Sequence, residues 1–108
     1  MRITVKATKL VLTPALNVFI EKRLARLSKL LKSWDDRGSV LLRVEVARTT
    51  RHHKKGDVFR AEVNLDMPSK VLRAEAENND IRIAVNEAYK KLEGEVKKIK
   101  GKLESKKR

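Results

Sequence analysis

The residue types that could carry catalysis or hold a metal ion are few in this sequence, and their spacing is poor. His52 and His53 are adjacent and Asp57 is nearby, but neighbouring positions seldom both reach one metal ion without a wider set of ligands. A solvent-exposed or phosphate-contacting loop is the simpler interpretation of this pair. The acidic pair Asp35-Asp36 precedes an arginine and a glycine and is interpreted as the turn that ends a helix. The sequence contains no nucleophile elbow, phosphate-binding loop or dinucleotide fingerprint, so we expect a binding protein and not an enzyme, with no metal and no cofactor.

The composition indicates a partner of opposite charge. The chain has 108 residues, with 27 lysines and arginines against 14 aspartates and glutamates, which gives a formal net charge of +13. A charge of this size on so small a body favours a polyanionic partner, nucleic acid ahead of an anionic membrane. The sequence has no cysteine, no apolar run near the ~20 residues of a membrane span and no signal peptide. We therefore expect a cytoplasmic protein with no membrane partner.

Four segments have the two-residue alternation that is typical of a half-buried strand. In the segment 2–8, Ile3, Val5 and Ala7 share one face, and the other three segments are residues 39–47, 57–66 and 71–77. The last two are joined by a short turn and should form an antiparallel hairpin. Residues 48–56, RTTRHHKKG, have neither an apolar residue nor a period, and we expect them to form a loop.

Two segments have the three- and four-residue apolar spacing of an amphipathic helix. The first begins at Thr13-Pro14, where a threonine N-cap precedes a proline at the first helical position, and extends for about 20 residues to Trp34. The second extends from Ile81 to about Leu103, after an N-cap supplied by the polar residues 78–80.

The order of the elements is β-α-β-β-β-α, and each element has one apolar face. This predicts a two-layer α+β fold with a four-stranded mixed sheet, its first two strands parallel, and both helices packed on one face of the sheet. We expect a single domain over residues 1–104 and a disordered basic tail over residues 105–108.

The positive charge is concentrated in three segments. Residues 14–34 contain five basic residues against one acidic residue, residues 81–108 contain ten against four, and residues 48–56 contain four and no acidic residue. The helix lysines and arginines therefore lack acidic neighbours. A phosphate backbone would relieve their mutual repulsion and release condensed counterions, so we expect the helices to bind RNA.

The predicted strands have a different charge pattern. Arginine and glutamate alternate in the pairs Arg43/Glu45, Arg60/Glu62 and Arg73/Glu75. Opposite charges on neighbouring strands stabilise a sheet modestly, so we interpret these arginines as sheet partners and not as phosphate ligands. Of the four aromatic residues only Tyr89 could be exposed, which disfavours stacking on single-stranded bases and favours recognition of the backbone and shape of structured RNA.

Residues 57–92, DVFRAEVNLDMPSKVLRAEAENNDIRIAVNEAYKKL, resemble the ribosome hibernation promoting factor family, which also includes ribosome-associated inhibitors, light-repressed proteins and sigma-54 modulation proteins. The strand-turn-strand RAEVNL…P…LRAEAE followed by ND-I…AVNEA…KL is the most specific part. A looser match, LTPAL…FIEKRLARL, lies in the N-terminal half, so the likeness covers nearly the whole chain. The family has the same β-α-β-β-β-α order.

The resemblance implies a function. Members of the family bind the small ribosomal subunit and its rRNA in the decoding channel, where mRNA and tRNA otherwise lie, and silence translation during stress or stationary phase. The family pattern places RNA-binding residues at Arg23, Arg26, Lys91, Lys98, Lys100 and Lys102. Charge density alone adds Lys22, Lys29, Lys90 and Lys97. We expect a monomer off the ribosome, with no small-molecule substrate.

The sequence departs from the family pattern at three positions. Arg82 replaces a common aromatic residue, Asn86 replaces a common aspartate, and Glu95 stands where glutamine is common. The chain ends at Arg108, before the further domain of long members, so it resembles the short type.

Two alternative functions remain open from the sequence. One is a general binder of structured RNA or other nucleic acid, whose helices contact phosphates without ribosome specificity. The other is a protein-binding module that docks a partner on the outer face of the sheet.

Overall fold

The computed structural model describes residues 1–32, 40–53, 56–68 and 70–106. The six elements occur in the predicted order, which confirms the α+β fold class. They are β1 (Arg2–Thr8), α1 (Pro14–Leu30), β2 (Leu41–His53), β3 (Gly56–Met67), β4 (Lys70–Asn78) and α2 (Ile81–Lys106).

The four strands form one mixed sheet in the order β1-β2-β3-β4. Strand β1 is parallel to β2, with Val5 opposite Val44, as the β-α-β order predicts. Strands β2, β3 and β4 are antiparallel to one another, and Leu65 of β3 lies between Leu42 of β2 and Leu72 of β4. This register places apolar side chains side by side on one face of the sheet.

The helices cover that face and enclose a single hydrophobic core with it. The α1 stripe contributes Leu16, Ile20, Leu24 and Leu27, all buried, and α2 contributes Val85, Ala88, Leu92 and Val96. The two helices also contact each other, and α2 packs on β3 and β4. Both helices therefore lie on the same side of the sheet and turn their polar sides to solvent.

Local signals at the helix starts match the prediction. The Thr13 hydroxyl accepts a hydrogen bond from the Leu16 backbone amide at 3.1 Å, with Pro14 at the first helical position. Asp80 caps α2, because its carboxylate accepts a hydrogen bond from the Arg82 amide at 2.9 Å. Helix α1 ends at Leu30, and Trp34, where its end was predicted, lies outside the described residues.

The predicted loop over residues 48–56 is wrong. Strand β2 continues to His53 and β3 begins at Gly56, with His53 opposite Gly56 and a register shift between Arg48 and His52. The pairing rests on backbone hydrogen bonds, and Gly56 and Asp57 are exposed, so no apolar period marks this end of the hairpin. Lys54 and Lys55 lie outside the described residues.

Helix α2 also extends beyond its predicted end at about Leu103. Ser105 and Lys106, where the sequence predicts a disordered tail, are helical. Residues 107–108 lie outside the described residues. Within the described ranges no helix has the length and apolar character to cross a membrane, and no cluster of metal-ligating side chains occurs.

Candidate nucleic-acid interface

The side of α1 next to α2 carries the first group of candidate residues. Phe19, Arg23 and Arg26 follow one another at three- and four-residue spacing, so they lie along one flank of the helix. Together with Lys22 they line an open pocket of about 180 Å³. The Phe19 ring is half-buried against the core, and the Arg23 guanidinium lies 5.7 Å from its centroid.

The facing flank of α2 carries Tyr89, Glu93 and Lys97, each four residues from the next. The Tyr89 hydroxyl donates a hydrogen bond to Glu93 at 2.6 Å, and the Lys97 ammonium lies 3.5 Å from the same carboxylate. Tyr89 is only 4% exposed, so the expectation that it could be exposed is wrong. It is packed in the hydrophobic core instead of offering a ring to a base.

The pKa values of Tyr89 and Glu93 are shifted by charges on both helices. Burial raises the pKa of Tyr89 to about 12, and the hydrogen bond to Glu93 acts in the same direction. That hydrogen bond lowers the pKa of Glu93, and the nearby charges of Lys97 and Arg26 lower it further. Arg26 and Lys97, predicted on separate helices, therefore lie near one carboxylate.

Arg82 also lies on this side of the helices, although it was not among the residues predicted to bind RNA. It occupies the first turn of α2, and its guanidinium lies 5.2 Å from the Phe19 ring centroid, so it approaches the same ring as Arg23. The Phe-x-x-x-Arg spacing of residues 19 and 23 could have indicated one contact. The other depends on how the helices pack and has no signal in the sequence.

We call the following set the basic helix surface: Lys22, Arg23, Arg26 and Lys29 of α1, and Arg82, Lys90, Lys97 and Lys100 of α2. All are exposed except Arg23 and Lys100, which are half-exposed. Among the described residues, none of the four α1 members has an acidic oxygen within 4 Å of its charged nitrogens, and only Lys97 does on α2. This leaves most of the surface with uncompensated positive charge.

Three candidate residues do not join that surface. Lys91 lies on the other flank of α2, where its ammonium donates a hydrogen bond to the Glu75 carbonyl of β4 at 2.9 Å. Lys98 lies 3.5 Å from Glu95, and Lys102 follows Lys98 one turn later along that flank. The prediction that the α2 lysines lack acidic partners is therefore wrong for Lys97 and Lys98.

The outer face of the sheet is electrostatically balanced. Arg43 binds both carboxylate oxygens of Asp66, at 2.8 and 2.9 Å. Arg60 donates to Glu62 at 2.6 Å and to Glu75 on the neighbouring strand. The Arg73 guanidinium donates to the side-chain oxygen of Asn64 at 2.7 Å and lies 3.8 Å from Glu62. The strand arginines are therefore sheet partners as predicted, although Arg43 pairs with Asp66 of the next strand.

The fold and this surface together define a class of protein. It is a small two-layer α+β protein with uncompensated positive charge on its helical side. The family model for the Sigma 54 modulation protein / S30EA ribosomal protein family matches residues 3–104. The chain belongs to this family, which confirms the resemblance described above.

Two solved structures are similar to the chain. The Thermus thermophilus Protein Y N-terminal domain is 28% identical, with a TM-score of 0.72 over 92% of this chain and 99% of that one. A ribosomal subunit interface protein from Coxiella burnetii is 22% identical, with a TM-score of 0.73 over 94% of this chain and 99% of that one, a likeness of fold. A comparison with curated protein sequences gave no significant match.

Proposed function

We propose that this protein binds the rRNA of the small ribosomal subunit through the basic helix surface, occupies the decoding channel and silences translation. The observation that carries the proposal is the segregation of charge. Most lysines and arginines of the basic helix surface have no acidic partner among the described residues, whereas Arg43, Arg60 and Arg73 of the outer sheet face are paired. Family membership and the relative named a ribosomal subunit interface protein support the ribosome as the source of the RNA.

The chemistry of the surface fits backbone recognition. Lysine and arginine bind phosphate oxygens without reading sequence, and helices packed on a rigid sheet hold these charges in a fixed pattern. Tyr89 is buried and Phe19 is half-buried, so the described helix surface offers no exposed ring for base stacking. We propose that the protein is a cytoplasmic monomer that binds ribosomal RNA under stress.

Sedimentation tests the proposal. We expect the purified protein to move with small subunits in a sucrose gradient at low salt and to inhibit an in vitro translation reaction. The helix variant Lys22→Gln/Arg26→Gln/Lys29→Gln should lose both properties. The sheet variant Arg2→Gln/Lys6→Gln/Lys70→Gln removes the same charge from exposed strand positions and should keep them.

Two outcomes would contradict the proposal. A wild-type protein that stays at the top of the gradient has no small-subunit affinity. A complex that excess tRNA or duplex RNA disperses would identify a general binder of structured RNA, the alternative function that the unpaired helix charges also favour.

A further inference from the structure

Two guanidinium groups from different helices meet at one aromatic ring. Arg23 of α1 and Arg82 of α2 lie 5.7 and 5.2 Å from the Phe19 centroid, so their guanidinium carbons are at most about 11 Å apart. Contacts of this length are within the ~6 Å range of cation–π attraction. The ring therefore attracts two cations that repel each other.

The charge environment distinguishes this cluster from the other arginine that lies over a ring among the described residues. Arg48 lies 5.9 Å from the Phe59 centroid and also has an acidic partner, Asp57, at 3.7 Å. Arg23 and Arg82 have no acidic oxygen within 4 Å among the described residues, and Arg26 and Lys22 extend the positive charge along the adjoining pocket. Among the described residues, no acidic group thus competes with an anion for Arg23 and Arg82.

We propose that Phe19, Arg23 and Arg82 form a phosphate-binding site for the RNA backbone, which we call the two-arginine site. Each guanidinium offers a planar fork of donors that matches phosphate oxygens, and stacking on the ring reduces the freedom that each side chain loses on binding. A separation of at most about 11 Å places both arginines within reach of neighbouring phosphates of one strand. The inference rests on the proposed function and gives a specific role in it to Arg82 of α2, which was not among the RNA-binding residues predicted from the sequence.

Three variants separate charge from stacking. Arg82→Gln removes one charge, Arg82→Lys keeps the charge and removes the planar fork, and Phe19→Leu keeps both charges and removes the ring. Arg2→Gln is the control, since Arg2 is an exposed arginine on β1 at the opposite side of the molecule. Affinity for purified small subunits is measured for each variant at several salt concentrations.

We expect Arg82→Gln to lower the affinity about tenfold and to reduce the slope of log affinity against log salt by about 0.7 to 0.9. Arg82→Lys and Phe19→Leu should lower the affinity roughly two- to fivefold with an unchanged slope, because the charges remain while their arrangement is lost. Arg2→Gln should change neither affinity nor slope by more than a small fraction of these effects.

The proposal is overturned if Arg82→Gln behaves as Arg2→Gln does, or if Arg82→Lys retains full affinity. Thermal unfolding shows whether Phe19→Leu is folded, and Arg82→Lys supplies the stacking test if it is not. If the wild-type protein fails to bind small subunits, the proposed function fails. The same variants are then measured on a short RNA hairpin, where equal affinities would overturn the two-arginine site separately.

Discussion

At the scale of single residues, Tyr89 shows what residue type alone misses. It lies four residues after Val85 and four before Glu93, so the helical period places it beside the core stripe and over a carboxylate. A buried phenol needs a hydrogen-bond partner, and Glu93 provides one at 2.6 Å. The i, i+4 spacing of tyrosine and glutamate was readable in the sequence. The position of α1 beside this flank, which brings the charges of Arg23 and Arg26 near the phenol, was not.

Tyr89 also gives a prediction for alkaline pH. Its pKa is raised from 10.0 to about 12 in the folded protein, so the folded state holds the phenol proton more tightly than the unfolded state does. This contribution to stability is fully present below pH 10.0 and is lost as the pH rises through about 12. The chain has one tyrosine, so its near-ultraviolet phenolate absorbance follows this group alone, and we expect a midpoint near 12.

The control for this titration is Glu93→Gln, which removes the negative partner while leaving Tyr89 buried. Its midpoint should lie below that of the wild type and above the ordinary value. A wild-type midpoint at the ordinary value of 10.0 in folded protein would contradict the buried hydrogen bond.

At the scale of elements, a segment was predictable from its sequence where one of its faces is buried. Strands β1, β3 and β4 alternate because the core lies on one side of the sheet, and their bounds differ from the prediction by a residue or less at each end. The extension of β2 to His53 was not predictable, because its pairing with β3 rests on the backbone and leaves no apolar pattern. The continuation of α2 to Lys106 was likewise not predictable, because residues 104–106 contain no apolar residue to extend the helical period.

The glycines of α2 and of the β2–β3 hairpin should respond to alanine in opposite ways. Gly94 lies within α2, and a Cβ there would meet no atom within 4 Å, so Gly94→Ala should stabilise the protein by about 1 kcal/mol through helix propensity. Gly56 is equally open but has a φ of +116°, so Gly56→Ala should destabilise it by roughly 1–3 kcal/mol. Urea denaturation measures both. Equal effects of the same sign would contradict the assigned backbone conformations.

The two flanks of α2 should differ in their contribution to RNA binding. Lys90 is exposed on the basic helix surface, whereas its neighbour Lys91 is bonded to the Glu75 carbonyl at the edge of the sheet. Lys90→Gln should reduce the slope of log affinity against log salt by about 0.7 to 0.9, and Lys91→Gln should leave it unchanged. An equal reduction of the slope in both variants, measured on small subunits, would show that Lys91 leaves β4 to contact RNA, and an unchanged slope in both would remove Lys90 from the interface.

At the scale of the whole molecule, the sequence predicts which side of the protein is positively charged better than it predicts which residues form that surface. Counting charges along the chain placed the excess on the helices and on residues 48–56, and the structure puts the helices together on one side of the sheet. Two features needed the packed structure. One is the division of α2 into a flank beside α1 and a flank beside β4, and the other is the recruitment of Arg82 to Phe19.

The same asymmetry predicts how salt affects stability. Uncompensated lysines and arginines on the helices repel one another in the folded protein, and the paired arginines of the sheet attract their partners. Added salt shortens the Debye length from about 30 Å at 0.01 M to about 8 Å at 0.15 M and weakens both effects. The repulsion involves more charges, as the net charge of +13 shows, so we expect the Tm to rise with sodium chloride over this range.

Two charge variants locate the source of this rise. The helix variant Lys22→Gln/Arg26→Gln/Lys29→Gln relieves the repulsion in advance, so its Tm at low salt should exceed that of the wild type and should depend less on salt. The sheet variant Arg2→Gln/Lys6→Gln/Lys70→Gln has the same net charge and should keep most of the wild-type dependence, because it leaves the crowded helix charges in place. Calorimetry at low protein concentration and without phosphate buffer measures both. A wild-type Tm that falls with salt would mean that the ion pairs of the sheet outweigh the repulsion on the helices. Phosphate binding would then gain nothing from reducing that repulsion.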